Sequence, residues 1–378
     1  MLLVGTVAII LVAGLWPFRA PLNDVSWLNG ENGAQLGHYG IILSTSAFQP
    51  RNSESIGSGT LEVALESAPQ KGRHTILAFE GLGREGAPFL LQENGDALIV
   101  QRHNVDENGT YRTAEFSIGG ALPPKKRVFV TVTLGSQETS VYLDGRLLRA
   151  LPIQGKPTSG FTGRLVLGNS PSASDSWSGQ IVGLALYDHR LDATQVSNHY
   201  QDWTRNRRLA VGKDMEPIAV YRFDERGGGV VHNEVDAATD LTIPARYSVL
   251  HPEFLSLPWR HYHPTWSYWA DFGVNIAGFV PFGFFAAAYL SAVRPAQNAC
   301  AITIGLGFLT SMTIEVLQAF LPTRDSGMND LVTNTFGSAL GVLLYGSFRV
   351  QTLVSRLTGS KLVPEPKSGS GVETKTTI

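Results

Sequence analysis

Three polar pairs interrupt stretches of sequence that are otherwise apolar. Glu315 and Gln318 lie three residues apart; Asp271 and Asn275, and Asp330 and Asn334, lie four apart. Those spacings put each pair on one face of a helix, so three helices could turn six polar groups toward one interior. A charged side chain at mid-bilayer costs about 3 kcal/mol, while each Leu, Ile, Phe or Val returns only ~0.3–0.6 kcal/mol. Polar groups kept at that cost default to function. Arg324, in the turn LPTRDSGMND, is placed to reach Glu315 or Asp330 and neutralise it. The chemistry on offer is a carboxyl acid or base at Glu315 and an anion anchor at Arg324 for a phosphate-like group. The competing role is helix glue, with interhelical polar contacts contributing about 0.6 kcal/mol each. The candidate set is Glu315, Gln318, Arg324, Asp330, Asn334 and Asn275; for Asp271 and Asn275 a structural role reads equally well.

Other chemical signatures are missing. The sequence has no HExxH zinc pair, nucleophile elbow or phosphate-cradling P-loop. His261 and His263 form an HxH pair, but they sit among Trp259, Tyr262, Trp266, Tyr268 and Trp269. Such amphipathic rings favour a headgroup layer, so the stretch reads as an aromatic belt. A single cysteine, Cys300, excludes an internal disulfide and a cysteine zinc site. Its expected role is packing.

The elements that must hold the polar pairs are four apolar stretches: residues 1–18, 272–293, 299–321 and 331–350. A span needs roughly 17–25 residues, so the first is short and the other three suffice. Residues 1–18 lack a basic leading segment and read as an uncleaved anchor. Pro281, beside Gly283, should kink the second stretch. Gly337 and Gly341, four apart, would admit a close helix neighbour in the last. Residues 266–350 thus read as a three-span bundle. Arg294, Arg349, Arg356, Lys361, Lys367 and Lys375 place the C-terminus in the cytoplasm by the positive-inside rule. The long segment 19–265 then lies outside. Residues 358–378 read as a disordered tail.

Residues 22–258 are patterned as strands. RVFVTVTL (127–134) alternates as a half-buried strand should, and Asp144-Gly145 between apolar runs signals a hairpin. Segments 60–66, 74–79, 97–102, 163–168 and 179–188 read the same way, and 192–203 reads as a helix with Val196, His199, Tyr200 and Trp203 on one face. Many short strands with Gly-rich turns imply an all-β jelly-roll sandwich beside an α-helical transmembrane bundle. Composition agrees: charged residues are 16% of the 378, against about 25% in soluble proteins, which suits a chain partly in a bilayer. A net charge of −2 gives no reason to expect nucleic acid as a partner.

Two resemblances follow. VYLDGRLL, GRLVLGN and WSGQIVGLALYDHRLDATQV, joined by AVYRFDERGGGVVHNEVDAATDLTIP, resemble laminin-G-like, concanavalin A-like domains. VNIAGFVPFGF followed by TIEVLQAFLPTRDSGMNDLVTNTFGSALG is similar to the VanZ-like membrane family, over about 265–350. The first resemblance implies a glycan or envelope-polymer partner outside a bacterial plasma membrane, with calcium conceivable in the sandwich. Asp144, Asp175, Asp188 or Asp224 could supply its oxygens, although turns are their ordinary role. Some domains of this fold are glycosidases built on an ExDxxE run. Here Glu234-Val235-Asp236 ends in Thr239, and Glu62 and Glu66 lack the central acid, so hydrolysis is not expected. Trp177, Tyr187, Tyr142 and Trp203 could stack on sugars, but aromatics in a sandwich are more often core. The second resemblance implies a multi-pass envelope protein without fixing an activity. Open alternatives are a membrane enzyme on a lipid-linked or phosphate-bearing substrate, through Glu315, Arg324 and Asp330, and a passive anchored scaffold.

Overall fold

The computed structural model describes residues 1–49, 57–81, 87–106, 108–153, 155–157, 160–172, 175–206, 216–250, 254–257, 266–324, 326–347, 352–353 and 356–357. The HxH pair, Trp259, Tyr262 and the tail 358–378, with its lysines, fall outside these residues, as does Arg349. The chain divides into two compact units, Ala20–Pro252 and Met1–Arg19 with Glu253–Ile378.

In the first unit the alternating sequence becomes seventeen strands among the described residues. They are β1 (Val25–Trp27), β2 (Ala34–Leu36), β3 (Ile42–Phe48), β4 (Gly59–Ser67), β5 (Arg73–Glu80) and β6 (Phe89–Asn94). Next come β7 (Ala97–Val105), β8 (Tyr111–Ile118), β9 (Arg127–Leu134), β10 (Glu138–Leu143), β11 (Arg146–Pro152) and β12 (Lys156–Pro157). The rest are β13 (Gly163–Leu167), β14 (Gly179–Tyr187), β15 (Ala219–Tyr221), β16 (Val230–Val231) and β17 (Leu241–Thr242). One antiparallel sheet runs β1-β2-β14-β4-β9-β10-β11, with β15 on β14; the other runs β12-β7-β6-β5-β13-β3-β17-β16, with β8 on β7. The expected hairpin joins β10 to β11. Asp144 and Gly145 both have positive φ, 51° and 73°, as the tight turn requires. Segment 219–242 closes both sheets, through β15 on one and β16–β17 on the other.

Leu61, Val63, Leu65, Val130 and Val132 face Leu77, Phe79, Phe89, Leu91 and Val100 in the core between the sheets. The half-buried reading of 127–134 needs correction, because β9 is buried at every position from Val128 to Leu134. The reason is a helix, α2 (Ala193–Asn206), that covers the outer face of its sheet. Val196 and Trp203 pack there on Phe129, Tyr142, Ala185 and Tyr187, so even Thr131 and Thr133 are shielded. The start of α2 is a capping box. Asp192 accepts from the amides of Thr194 and Gln195 at 2.8 Å each, and Gln195 accepts from the Asp192 amide at 2.8 Å.

The second unit consists of α1 (Leu2–Leu15), α3 (Trp266–Ser291), α4 (Ala296–Gln318) and α5 (Met328–Gly346). The last three start three to six residues before the apolar stretches read from sequence. Among the described residues, two helices are long and apolar enough to cross a membrane, Tyr268–Ser291 and Ala296–Gln318. At 14 residues, α1 is only ~21 Å long, against a hydrocarbon core of about 30 Å. Helix α3 runs through Pro281. Its tight packing on α5 depends on glycines. A Cβ on Gly283 would meet the Ser338 carbonyl, and Cβ atoms on Gly337 and Gly341 would meet the carbonyls of Ile276 and Val280. Tyr289, Leu309 and Leu343 face outward and are more than half exposed, as in a bundle solvated by lipid rather than water.

Candidate functional site

All six candidate residues line one cavity of about 520 Å³ in the helical unit, together with Asp271. The helix directions explain this. Asp271 and Asn275 lie near the start of α3, Glu315 and Gln318 at the end of α4, and Asp330 and Asn334 at the start of α5. Alternating up-and-down helices bring those three ends together. The remaining wall is apolar, with Ile10 and Ala13 of α1, Val274 and Phe279 of α3, and Ile314 of α4.

Glu315 is 1% exposed, yet Arg324 is not its partner. The Glu315 carboxylate accepts from the Gly327 amide at 2.8 Å, at the N-cap of α5. The turn that carries Gly327 is pinned in its turn. Ser256 donates its amide to the Ser326 carbonyl at 2.9 Å and accepts from the Met328 amide at 3.1 Å. Arg324 turns to α1 instead: Nε donates to the Trp16 carbonyl at 2.9 Å, and the terminal nitrogen reaches the carbonyls of Trp16 and Ala13. Gln318 joins it there, with Nε2 donating to the Gly14 carbonyl at 2.8 Å. The last carbonyls of a helix have no partner within the helix and carry its negative dipole end, so a guanidinium and an amide are natural caps. The expected neutralisation of Glu315 by Arg324 is thus replaced by capping of α1. Sequence could not show this, because α1 contributes backbone atoms and no side-chain signal.

Some polar atoms of the lining residues remain unmatched. Gln318 Oε1, Asn334 Oδ1 and Thr323 Oγ1 are buried without a hydrogen-bond partner. Asn334 uses its Nδ2 on Ser311 Oγ at 3.0 Å. Ser311 and Thr323 were missed in the sequence; Ser311 lies one turn before Glu315 on the same face, which was a readable signal.

The sandwich distributes its polar groups differently. Trp177, Tyr187 and Tyr142 are buried, so none of these three offers a face to a sugar, while Trp203 is 6% exposed and packs on Phe129. Trp177 Nε1 donates to Glu93 at 2.6 Å, and Ser67 donates to the same oxygen at 2.5 Å. Glu62, set aside in the sequence, accepts from His199 Nδ1 at 2.9 Å beneath α2, with Tyr187 OH at 3.4 Å. Burial of the His199 ring opposes its charge, but the hydrogen bond and charge of Glu62 outweigh this and raise its pKa. Asp144 accepts from the Phe129 amide at 3.0 Å in its turn. No group of three metal-ligating side chains occurs among the described residues. A surface pocket of about 290 Å³ is lined by Glu31, Asn32, Arg127, Trp203, Asn206 and Arg226.

Comparison with known proteins bears on both units. Residues 233–349 match the VanZ/LLP1 family model, and residues 45–197 match that of the concanavalin A-like lectin/glucanases superfamily. The chain joins a VanZ-like segment to a concanavalin A-like one. The VanZ-like match begins at 233, within the sandwich unit, and so takes in β17 as well as the three long helices. No curated protein matches the chain. Similar solved structures include the receptor binding domain of botulinum neurotoxin D, at 14% identity and TM-score 0.39, covering 50% of this chain and 48% of that one. Another is the binding domain of botulinum neurotoxin DC in complex with SialylT, at 15% identity and TM-score 0.37, covering 48% and 45%. The chain thus spans about half the length of these structures, and a likeness this distant carries no argument about a ligand.

Proposed function

We propose that this is a multi-pass protein of the bacterial plasma membrane whose helical unit takes up the head group of an amphiphile. The sandwich then lies outside and engages a glycan or envelope polymer, and the C-terminus is cytoplasmic. The cavity carries this reading. It combines a polar end with an apolar wall, in a bundle whose outer faces are themselves apolar. Arg294, exposed in the α3–α4 connection at the opposite end from the polar cluster, supports the orientation. For the sandwich, the support is a pocket edged by Glu31, Asn32, Arg127 and Arg226, a set suited to hydroxyl groups.

The alternative, a membrane enzyme acting on a lipid-linked or phosphate-bearing substrate through Glu315, Arg324 and Asp330, is weaker on geometry, since Nε and Nη2 of Arg324 donate to α1 and leave only Nη1. The test is lipid extraction from the full chain purified in mild detergent, beside a Glu315→Gln, Asp330→Asn, Asn334→Leu variant. Specific co-purification from the parent, lost in the variant, is expected. Equal lipid content in both would defeat the reading. A glycan array on residues 20–252, with Asn32→Ala and Arg226→Ala as controls, tests the sandwich separately.

A further inference from the structure

The residues that line the bundle cavity divide by exposure. Ile10, Phe279, Ile314, Glu315, Gln318 and Asn334 are buried and form its floor. Ala13, Asp271, Val274, Gly278 and Arg324 are exposed, Val274 at 69%, so the mouth lies among them. Apart from Arg324 these belong to α1 or α3, whereas the α4 residues that line the cavity are all buried. The opening is therefore a slot in the side of the bundle, between α1 and α3. Ile10, Phe279 and Ile314 share one apolar cluster, which closes the slot at its deep end. Its character changes along its length. Asp271 and Arg324 are charged, while Val274 and Gly278 lie one and two turns further along α3, Gly278 about 10 Å from Asp271. Gly278 is at the middle of α3, which runs from Trp266 to Ser291 and contains a segment long and apolar enough to cross a membrane. A helix of 26 residues is ~39 Å long, so its midpoint falls inside a hydrocarbon core of about 30 Å. A Cβ added at Gly278 would meet nothing within 4 Å, so no described residue closes the slot at that depth.

We infer that the cavity is entered sideways, by a membrane lipid that keeps its hydrocarbon chain in the slot between α1 and α3. This rests on the amphiphile reading above and names its class: a long-chain lipid resident in the bilayer, not a water-soluble amphiphile. The head group lies level with Asp271, Arg324 and Asp330, and the chain runs beside Ala13, Val274 and Gly278. A slot that is charged at one end and apolar at mid-helix follows the polarity of a single lipid molecule. Lipid chains are as apolar as the slot, so a chain moves into it from the bilayer with no exposure to water. A soluble ligand would reach the charged end alone. Gly278, without a side chain, leaves the chain its room.

The experiment is photolabelling of the full chain in liposomes of phosphatidylethanolamine and phosphatidylglycerol, with labelled residues mapped by peptide mass spectrometry. Two probes of these lipids are used, one with a diazirine midway along an acyl chain and one with it on the head group. The chain probe should mark Ala13, Val274 and Gly278 about tenfold above Leu309 and Leu343, which face outward elsewhere on the bundle. Gly278→Phe should remove that excess. Gly305→Phe is the matched control, since Gly305 is exposed on α4 outside the cavity and its added Cβ also meets nothing; the excess should survive it. Chain labelling at the slot no higher than at Leu309 and Leu343, or an excess that persists in Gly278→Phe, would overturn the inference. The head-group probe separates that failure from failure of the amphiphile reading. Labelling of Asp271 and Arg324 above Arg294 would then leave an amphiphile site filled from water. No excess there would sink the amphiphile reading as well. The comparison among sites uses the parent protein, so it does not depend on any variant folding.

Discussion

The two units bury acids in different settings. In the sandwich, Glu62 is taken up by His199 and Tyr187, and Glu93 by Ser67, Trp177 and Gln70. These networks lock α2 to its sheet and Trp177 into the core. In the bundle, Glu315 is also fully buried and bonded, but it lines a cavity of about 520 Å³. Burial alone therefore does not mark a working residue. What separates the two cases is the setting: Glu62 and Glu93 are closed in by packed side chains, whereas Glu315 lines a cavity.

The comparison can be broken at several points. The largest effect should come from Gly341→Val, where a side chain would be driven into the α3 backbone. We expect the helical unit to lose about 3 kcal/mol or more, while the sandwich transition stays in place, as followed by thermal unfolding in detergent. Next is Glu62→Ala, which strands His199 beneath α2; a loss of roughly 3 kcal/mol is expected for the sandwich in denaturant titration. A change below 1 kcal/mol would show that this network is not what holds α2.

A pH series sharpens the same point. His199 has a raised pKa when folded, so its contribution is fully present below its ordinary value of 6.5 and is lost as pH rises through the folded value. The parent sandwich should therefore lose stability between slightly acid and mildly alkaline pH, with a flatter profile in His199→Gln. The smallest effect should be Gln318→Met in the bundle. It gives up the bond to the Gly14 carbonyl and also removes an unmatched buried oxygen, so a net change within about 0.5 kcal/mol is expected in the detergent melt. A large loss there would place Gln318 with the sandwich acids, as a structural group.

Much of this was legible in the sequence, and the failures are specific. Asp144-Gly145 gave away its hairpin because a two-residue turn with positive φ restricts residue choice locally. The helical polar pairs could be read as lying on shared faces because helical spacing and the cost of polar groups in lipid both act within one segment. Arg324 was mispaired because its partners are backbone carbonyls from the far end of the chain. Thr131 and Thr133 were read as solvent-facing because nothing in β9 announces a helix some sixty residues later.

The sequence by itself determined which segments are strands, which are apolar helices, and which polar side chains those helices carry. Periodicity and transfer cost are local properties, so the chain states them openly. Only the tertiary structure decided that α1 carbonyls would accept from Arg324 and Gln318, and that Glu62 would meet His199. It also decided which acceptors were left over. Hydrogen-bond saturation is a property of neighbours distant in sequence, and it is settled only when the helices and sheets have packed.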